Sequence, residues 1–270
     1  MATNLALGSK TIGEERQPGH WLLASLGKRV LRPGGRELTQ WMLARLAIGA
    51  CDRVVEFAPG TGATARLALR AGPREYIAVE RDAAAAARMR AWLAAHAGRV
   101  RAHSVENSAE GTGLAGASYS VVYGEAMLSL QTPEQKRRIL AEAARLLQPG
   151  GRYGMHELCL TPARISDALR REIQAAMSKE IHVGVQPIPA AEWRVLLQQA
   201  GLRVQAETHA PMRLLEPGRL IRDEGLLGAA RFACNLARRP AARARVRAMR
   251  GLFHRYGAHL EAIALVATAP

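Results

Sequence analysis

Lysine is almost missing from this chain: Lys10, Lys28, Lys136 and Lys179 are the only four, although lysine and arginine together number 38 of 270 residues. The formal charge of +15 is therefore carried by arginine. Aromatic residues make up only 4% of the chain, too few for an extended base-stacking surface. The three cysteines, Cys51, Cys159 and Cys234, are odd in number and widely spaced. They form no metal-ligand pattern, so no metal site is expected and a reduced, cytoplasmic setting is. Apolar runs of membrane-spanning length are absent. Met1 to Lys10 has no basic stretch leading into a hydrophobic one, so no export signal is expected. The length suits one α/β domain with accessory helices.

What is present begins at Val54-Val55-Glu56-Phe57-Ala58-Pro59-Gly60-Thr61-Gly62-Ala63. An apolar run ends in an acid, passes a glycine-rich corner and enters a helix-forming stretch. Gly60 and Gly62 leave room for a ligand to lie directly on the main chain. Glu56 would repel a diphosphate and attract an ammonium or sulfonium group. Tyr76-Ile77-Ala78-Val79 reads as a second buried strand, and the carboxylate of Glu80 at its end can take both hydroxyls of a ribose. Leu146-Leu147-Gln148-Pro149-Gly150-Gly151-Arg152 follows a long helix and enters a further strand.

The first passage resembles the acid-then-glycine-turn motif of class I S-adenosylmethionine-dependent methyltransferases, with Ala58 in place of the first glycine. The Leu-Leu-x-Pro-Gly-Gly turn is similar to the signature before the fifth strand of many small-molecule members. The resemblance spans roughly residues 36 to 210. It implies a Rossmann-like α/β fold: a mostly parallel seven-stranded sheet, helices on both faces, and a last strand running antiparallel between strands five and six. It also implies S-adenosyl-L-methionine as cofactor, leaving S-adenosyl-L-homocysteine. Ala58, Pro59, Gly60, Thr61 and Gly62 would lie against the methionine part and ribose, with Glu56 near its ammonium. Glu80, with Arg81 beside it, would hold the ribose, Gly124 would border the cofactor, and Ser108 and Ala109 would meet the adenine where the family commonly has an aspartate.

Strands are expected from Val54 up to the glycine corner and over 76–80, 100–105, 119–124, 153–158, 202–209 and 260–268, alternating with helices from the periodicity and the caps Asp82 and Thr132. Residues 1–35 would form a helical cap segment on a domain running from 36 to 270. An insertion at 161–189 and an arginine-rich helical region at 213–256 would cover the substrate. Between Arg213 and Tyr256 eleven arginines stand against Glu216, Asp223 and Glu224. From about Pro240, Arg243, Arg247, Arg250 and His254 fall on one helical face and Val246, Met249, Phe253 and Tyr256 on another. That pattern suits a solvated face on a packed helix; an anionic membrane or RNA is the alternative it leaves open.

Methyl transfer from a sulfonium needs alignment, and a base only where the acceptor must lose a proton. His156 and Glu125, at the carboxyl ends of strands five and four, are the candidates for that base. His20, Trp21, Met127, Glu157 and His182 are candidates for the acceptor side. The turn after strand four, Gly124-Glu125-Ala126-Met127, lacks the Pro-Pro-aromatic sequence of base-amino methylation, and no cysteine sits there for C5 chemistry. A small-molecule acceptor is therefore the expected partner, with nucleic acid disfavoured and oligomeric state undetermined. RNA or protein methylation through the basic helices, or a silent binding protein on the same fold, are the alternatives.

Overall fold

The computed structural model describes residues 17–270. The Met1–Lys10 reading, and the part of the cap segment before residue 17, lie outside the described residues.

A helix α1 (Gly19–Ser25) precedes α2 (Gly35–Leu46), and then strands and helices alternate. The order is β1 (Arg53–Phe57), α3 (Ala63–Arg70), β2 (Glu75–Glu80), α4 (Ala83–His96), β3 (Arg101–Glu106), β4 (Tyr119–Glu125), α5 (Pro133–Leu146) and β5 (Leu147–Leu160). The Asp82 carboxylate accepts the Ala85 N–H to open α4. Thr132 and Gln135 form a reciprocal capping box at α5, with Pro133 in its first turn. After α6 (Asp167–Ile181) come β6 (Ile188–Pro189), α7 (Ala190–Gln199), β7 (Arg203–Pro211), α8 (Pro217–Ala237), α9 (Pro240–Arg255) and β8 (Leu260–Thr268).

The strands lie in the order β3-β2-β1-β4-β5-β8-β7. Strands β1 to β5 are parallel, and β8 runs antiparallel to both β5 and β7. The architecture is thus the expected mixed α/β sheet with three refinements. A two-residue β6 pairs parallel with β5 and adds an eighth strand to the seven foreseen. Strand β5 begins at Leu147, so Pro149-Gly150-Gly151 lies within its span. Helix α8 breaks at Gly225, whose φ of 76° is open to glycine.

Apolar side chains fill both faces of the sheet. Val55, Ile77, Val122, Ile139, Tyr153 and Trp193 belong to one cluster, and Val54, Tyr76, Val121, Met42 and Leu93 to another. A third cluster lies off the sheet, joining Leu22 and Leu26 of α1, Ile173 and Met177 of α6, and Val246, Met249 and Phe253 of α9. Helix α6, within the 161–189 insertion, therefore buries one side. In α9 the apolar stripe is buried, while Arg243, Arg247, Arg250 and His254 are exposed. The strand order reverses between β1 and β4, which leaves a crevice beyond their carboxyl ends where ligands of open α/β sheets bind.

Candidate active site

That crevice opens into a cavity of about 670 Å³. Its walls run from the ends of β1 and β2 and the loop after β3 to α1, α6 and α9. Glu56, Ala58, Pro59, Gly60, Thr61, Glu80, Arg81, Ser108 and Ala109 all line it. Gly62 and Gly124 are not among the lining residues. Ala58 adopts φ 51° and Gly60 φ 56°, so the corner is left-handed even where the sequence has alanine. A methyl group in that region carries strain that glycine does not.

Glu56 is 3% exposed, and its Oε2 accepts the hydroxyl of Tyr123 at 2.7 Å and that of Tyr76. Burial raises its carboxyl to about 7, against the pull of both tyrosines. Its Oε1, with no hydrogen-bond partner among the described residues, is the atom left for the cavity. Glu80 accepts the Asp82 N–H at 3.1 Å, and burial moves its carboxyl upward. The Ser108 hydroxyl accepts the Glu110 N–H at 3.2 Å, which leaves its own hydrogen to donate.

The residues expected to act as bases are tied down. Oε2 of Glu125 meets Arg32 Nε at 2.6 Å and the Thr64 hydroxyl at 2.5 Å; Oε1 accepts Thr39 at 2.6 Å and faces His156 Nδ1 at 3.0 Å. Burial alone would raise this carboxyl, but the Arg32 charge and the bonds from His156 and Thr39 outweigh it and hold it near about 2. His156 is fully buried and absent from the cavity wall. The Gly34 N–H donates to its Nε2 at 3.0 Å, so the ring proton sits on Nδ1 and points at Glu125. Neither nitrogen is left to take a proton from a substrate. The fit is close: a Cβ on Gly34 would fall 2.5 Å from Leu38 and 2.8 Å from His156 Nε2.

Glu157 lines the cavity but is likewise spent. It accepts the N–H groups of Met127, Leu128 and Ser129 at 2.8–2.9 Å and the Ser129 hydroxyl at 2.7 Å, fixing the turn after β4. His182 is exposed at the left-handed end of α6 and does not reach the cavity, although its neighbours Ile181 and Val183 do. His20, Trp21 and Met127 are on the wall. Away from the cavity, β5, β7 and β8 bring Cys159, His209 and Glu261 together, with donor atoms within 4.8 Å of one another, a juxtaposition their sequence spacing does not show. There the His209 ring is held between Glu261 at 2.8 Å and Glu207 at 2.7 Å.

Several site residues went unread in the sequence. Arg32 is the cation beside Glu125, and the segment carrying it is strapped to α8. Glu224 accepts the N–H groups of Arg29 and Val30 at 2.8 Å each, and Asp223 accepts that of Arg36 at 3.0 Å. Arg219 donates to the Gly34 carbonyl. The one available signal was Pro33-Gly34-Gly35 just after Arg32, which reads as a turn and nothing more. Tyr123 could have been found from register, since it pairs directly with Glu56.

The family model described as a methyltransferase domain matches residues 54–151. An uncharacterized protein of Haemophilus influenzae is 30% identical over 217 residues, which is 80% of this chain and 84% of that protein. Among solved structures, the [4+2]-cyclase SpnF has a TM-score of 0.69 at 17% identity and covers 92% of each chain. Phosphoethanolamine N-methyltransferase 2 of Haemonchus contortus, in complex with S-adenosyl-L-methionine, gives 0.67 at 14% identity over 96% of this chain and 58% of that one. Geranyl diphosphate C-methyltransferase of Streptomyces coelicolor, in complex with Mg2+, geranyl diphosphate and S-adenosyl-L-homocysteine, gives 0.61 at 16% identity over 87% and 79%. At these identities the solved structures speak for the fold alone, and the domain match, which covers the glycine corner, Glu80 and the Pro-Gly-Gly turn, supplies the rest. The match identifies residues 54–151 as a methyltransferase domain, carried on the fold of the class I S-adenosylmethionine-dependent methyltransferases.

Proposed function

We propose that this protein transfers a methyl group to a small-molecule acceptor held between the strand ends and the helical cover. The observation that carries the reading is that one continuous cavity has the glycine corner at one end and α1, α6 and α9 at the other. When bound, S-adenosylmethionine supplies a methyl group already activated on a sulfonium. The left-handed corner at Ala58 and Gly60 presents bare backbone to the methionine part and ribose, with Thr61 and Gly62 completing the turn. Glu56 Oε1 is the acceptor for the ammonium, Glu80 for the ribose hydroxyls with Arg81 alongside, and Ser108 and Ala109 border the adenine. In this reading residues 17–35, 161–189 and 213–256 are the substrate cover of the domain that starts at 36.

The chain's contribution to rate is alignment rather than proton transfer at His156 or Glu125. Arg32, Glu125, His156 and Gly34 form a closed chain of hydrogen bonds and charge between β4, β5 and the linker before α2. Glu157 fixes Met127 and the turn in the same way. Together they hold the cavity floor rigid, and holding the reactants within about 3–3.5 Å of each other supplies much of the barrier lowering in a displacement of this kind. Enclosure by an apolar cover favours a small acceptor over RNA. Transfer of labelled methyl groups into a small-molecule extract, with RNA and total protein inert, is the expected result. Label entering RNA at physiological salt, and not the small-molecule fraction, would overturn this reading.

A further inference from the structure

The lid end of the cavity differs from its strand end in one chemical respect. Leu158, Met177, Met212, Leu214, Met249 and Phe253 form its wall. All but Leu214 are buried, and Leu214 is half-buried. The charged side chains bordering this space are already neutralised within the protein. Arg32 is held by Glu125 at 2.6 Å, and Arg29 turns outward to Glu224 at 3.0 Å with 69% of its side chain exposed. Glu157 accepts four hydrogen bonds from the turn after β4. The Ser129 hydroxyl and the amide nitrogen of Gln131 are likewise taken, by Glu157 and the Met127 carbonyl. Among the described residues that line this end of the cavity, no cation is left unpaired.

His20 is the exception. It lines the cavity, neither ring nitrogen has a hydrogen-bond partner among the described residues, and Nδ1 is buried. Its other nitrogen, Nε2, is the one left for a ligand. Burial lowers the ring to about 4, so it stands there uncharged near neutral pH.

We infer that the acceptor is an uncharged molecule, hydrocarbon or aromatic over most of its surface, with one neutral polar group placed to hydrogen-bond His20. A carboxylate, phosphate or ammonium buried here would lose its hydration and find no free counter-charge, whereas apolar surface gains from every contact. The inference rests on the methyltransferase reading for the word acceptor, and on the cavity wall for the chemistry.

The test uses the whole protein, with S-adenosyl-L-homocysteine present to fill the strand end, and titrates four small probes by calorimetry. These are 4-butylphenol, butylbenzene, 4-butylbenzoate and 4-butylbenzylamine. The phenol should bind at least tenfold more tightly than either charged probe, and several-fold more tightly than butylbenzene. Leu214→Arg should weaken phenol binding at least tenfold and narrow the gap to the benzoate. His20→Phe should erase the margin of the phenol over butylbenzene. A benzoate or amine that binds as well as the phenol overturns the inference, and so does a cavity that takes none of the four. The selectivity is read on the parent protein, so a variant that fails to fold leaves the test intact. Loss of the homocysteine heat with probe selectivity retained would sink the methyltransferase reading instead.

Discussion

The strand end of the cavity takes its walls from consecutive strand ends, Glu56 to Thr61, Glu80 to Asp82 and Asn107 to Glu110, each delivered by the turn that follows its own strand. The lid end takes its walls from residues 18–31, 158, 177–184, 212–214 and 249–253, which share no local pattern and meet only because α1, α6 and α9 pack together. The first is built of backbone and carboxylates, the second of apolar side chains. The strand end can keep acids because it surrounds them with tyrosine, threonine and arginine partners. The lid end, made by hydrophobic packing, spends its few polar atoms internally and leaves an uncharged surface. A difference in how each end is assembled thus becomes a difference in what each end can bind.

The comparison is broken most severely by removing the cation that makes the strand end tolerable. Arg32→Met should destabilise the fold by about 3–5 kcal/mol, because Glu125 would be left charged and buried without its partner. In the parent, the Glu125 carboxyl is held down near about 2 from an ordinary 4.5. Its stabilisation is therefore present above pH 4.5 and lost as pH falls toward 2. Urea unfolding of the variant should show most of that low-pH loss gone. A variant as stable as the parent at pH 7 would mean that Arg32 is incidental.

Glu56 gives the opposite pH dependence within the same end. Burial raises its carboxyl from 4.5 to about 7 in the fold. Its contribution is full below pH 4.5 and is lost as pH rises through 7, up to about 3 kcal/mol. Glu56→Gln should flatten the stability profile between these values, measured as urea midpoints without ligand. A parent profile that rises across that window would contradict a protonated Glu56.

A smaller effect sharpens the cofactor assignment. Glu80→Ala should weaken S-adenosyl-L-homocysteine binding by roughly 1.5–3 kcal/mol, the range of a hydrogen bond to a charged group, with the fold unchanged. Calorimetry that finds tight NAD binding and no homocysteine heat would remove Glu80 from this role.

The smallest effect is expected on the outer face of the lid. Changing Arg243, Arg247 and Arg250 together to glutamine should cost less than about 0.5 kcal/mol per site and leave cofactor affinity unchanged. Arg250 pairs with the half-buried Glu216 at 3.2 Å, and solvent-accessible pairs of this kind contribute little. Binding of the parent to RNA or anionic vesicles at physiological salt, lost in this triple variant, would instead make the stripe a docking surface.

Local chemistry was legible from residues alone. Val54 to Gly62 specified strand, corner and helix start, Asp82 and Thr132 specified helix caps, and Leu260 to Thr268 specified the last strand, because periodicity, turn residues and caps act over a few positions. The family resemblance added the strand order and the place of the cofactor. Less visible were the helix break at Gly225 and the two-residue β6, since one needs only a single backbone angle and the other only two hydrogen-bonded residues.

What the tertiary structure alone decided is which polar groups remain free. His156 and Glu125 look alike available in sequence, and both are consumed by Gly34 and Arg32, residues about a hundred positions away. Glu157 is consumed by a turn 28–30 residues earlier, and Arg32 is brought into place by Asp223 and Glu224, nearly two hundred positions later. A side chain's residue type sets the chemistry it can perform. Whether it performs that chemistry depends on whether its lone pairs and charge have already been satisfied, and the neighbours that satisfy them are chosen by packing across the whole chain.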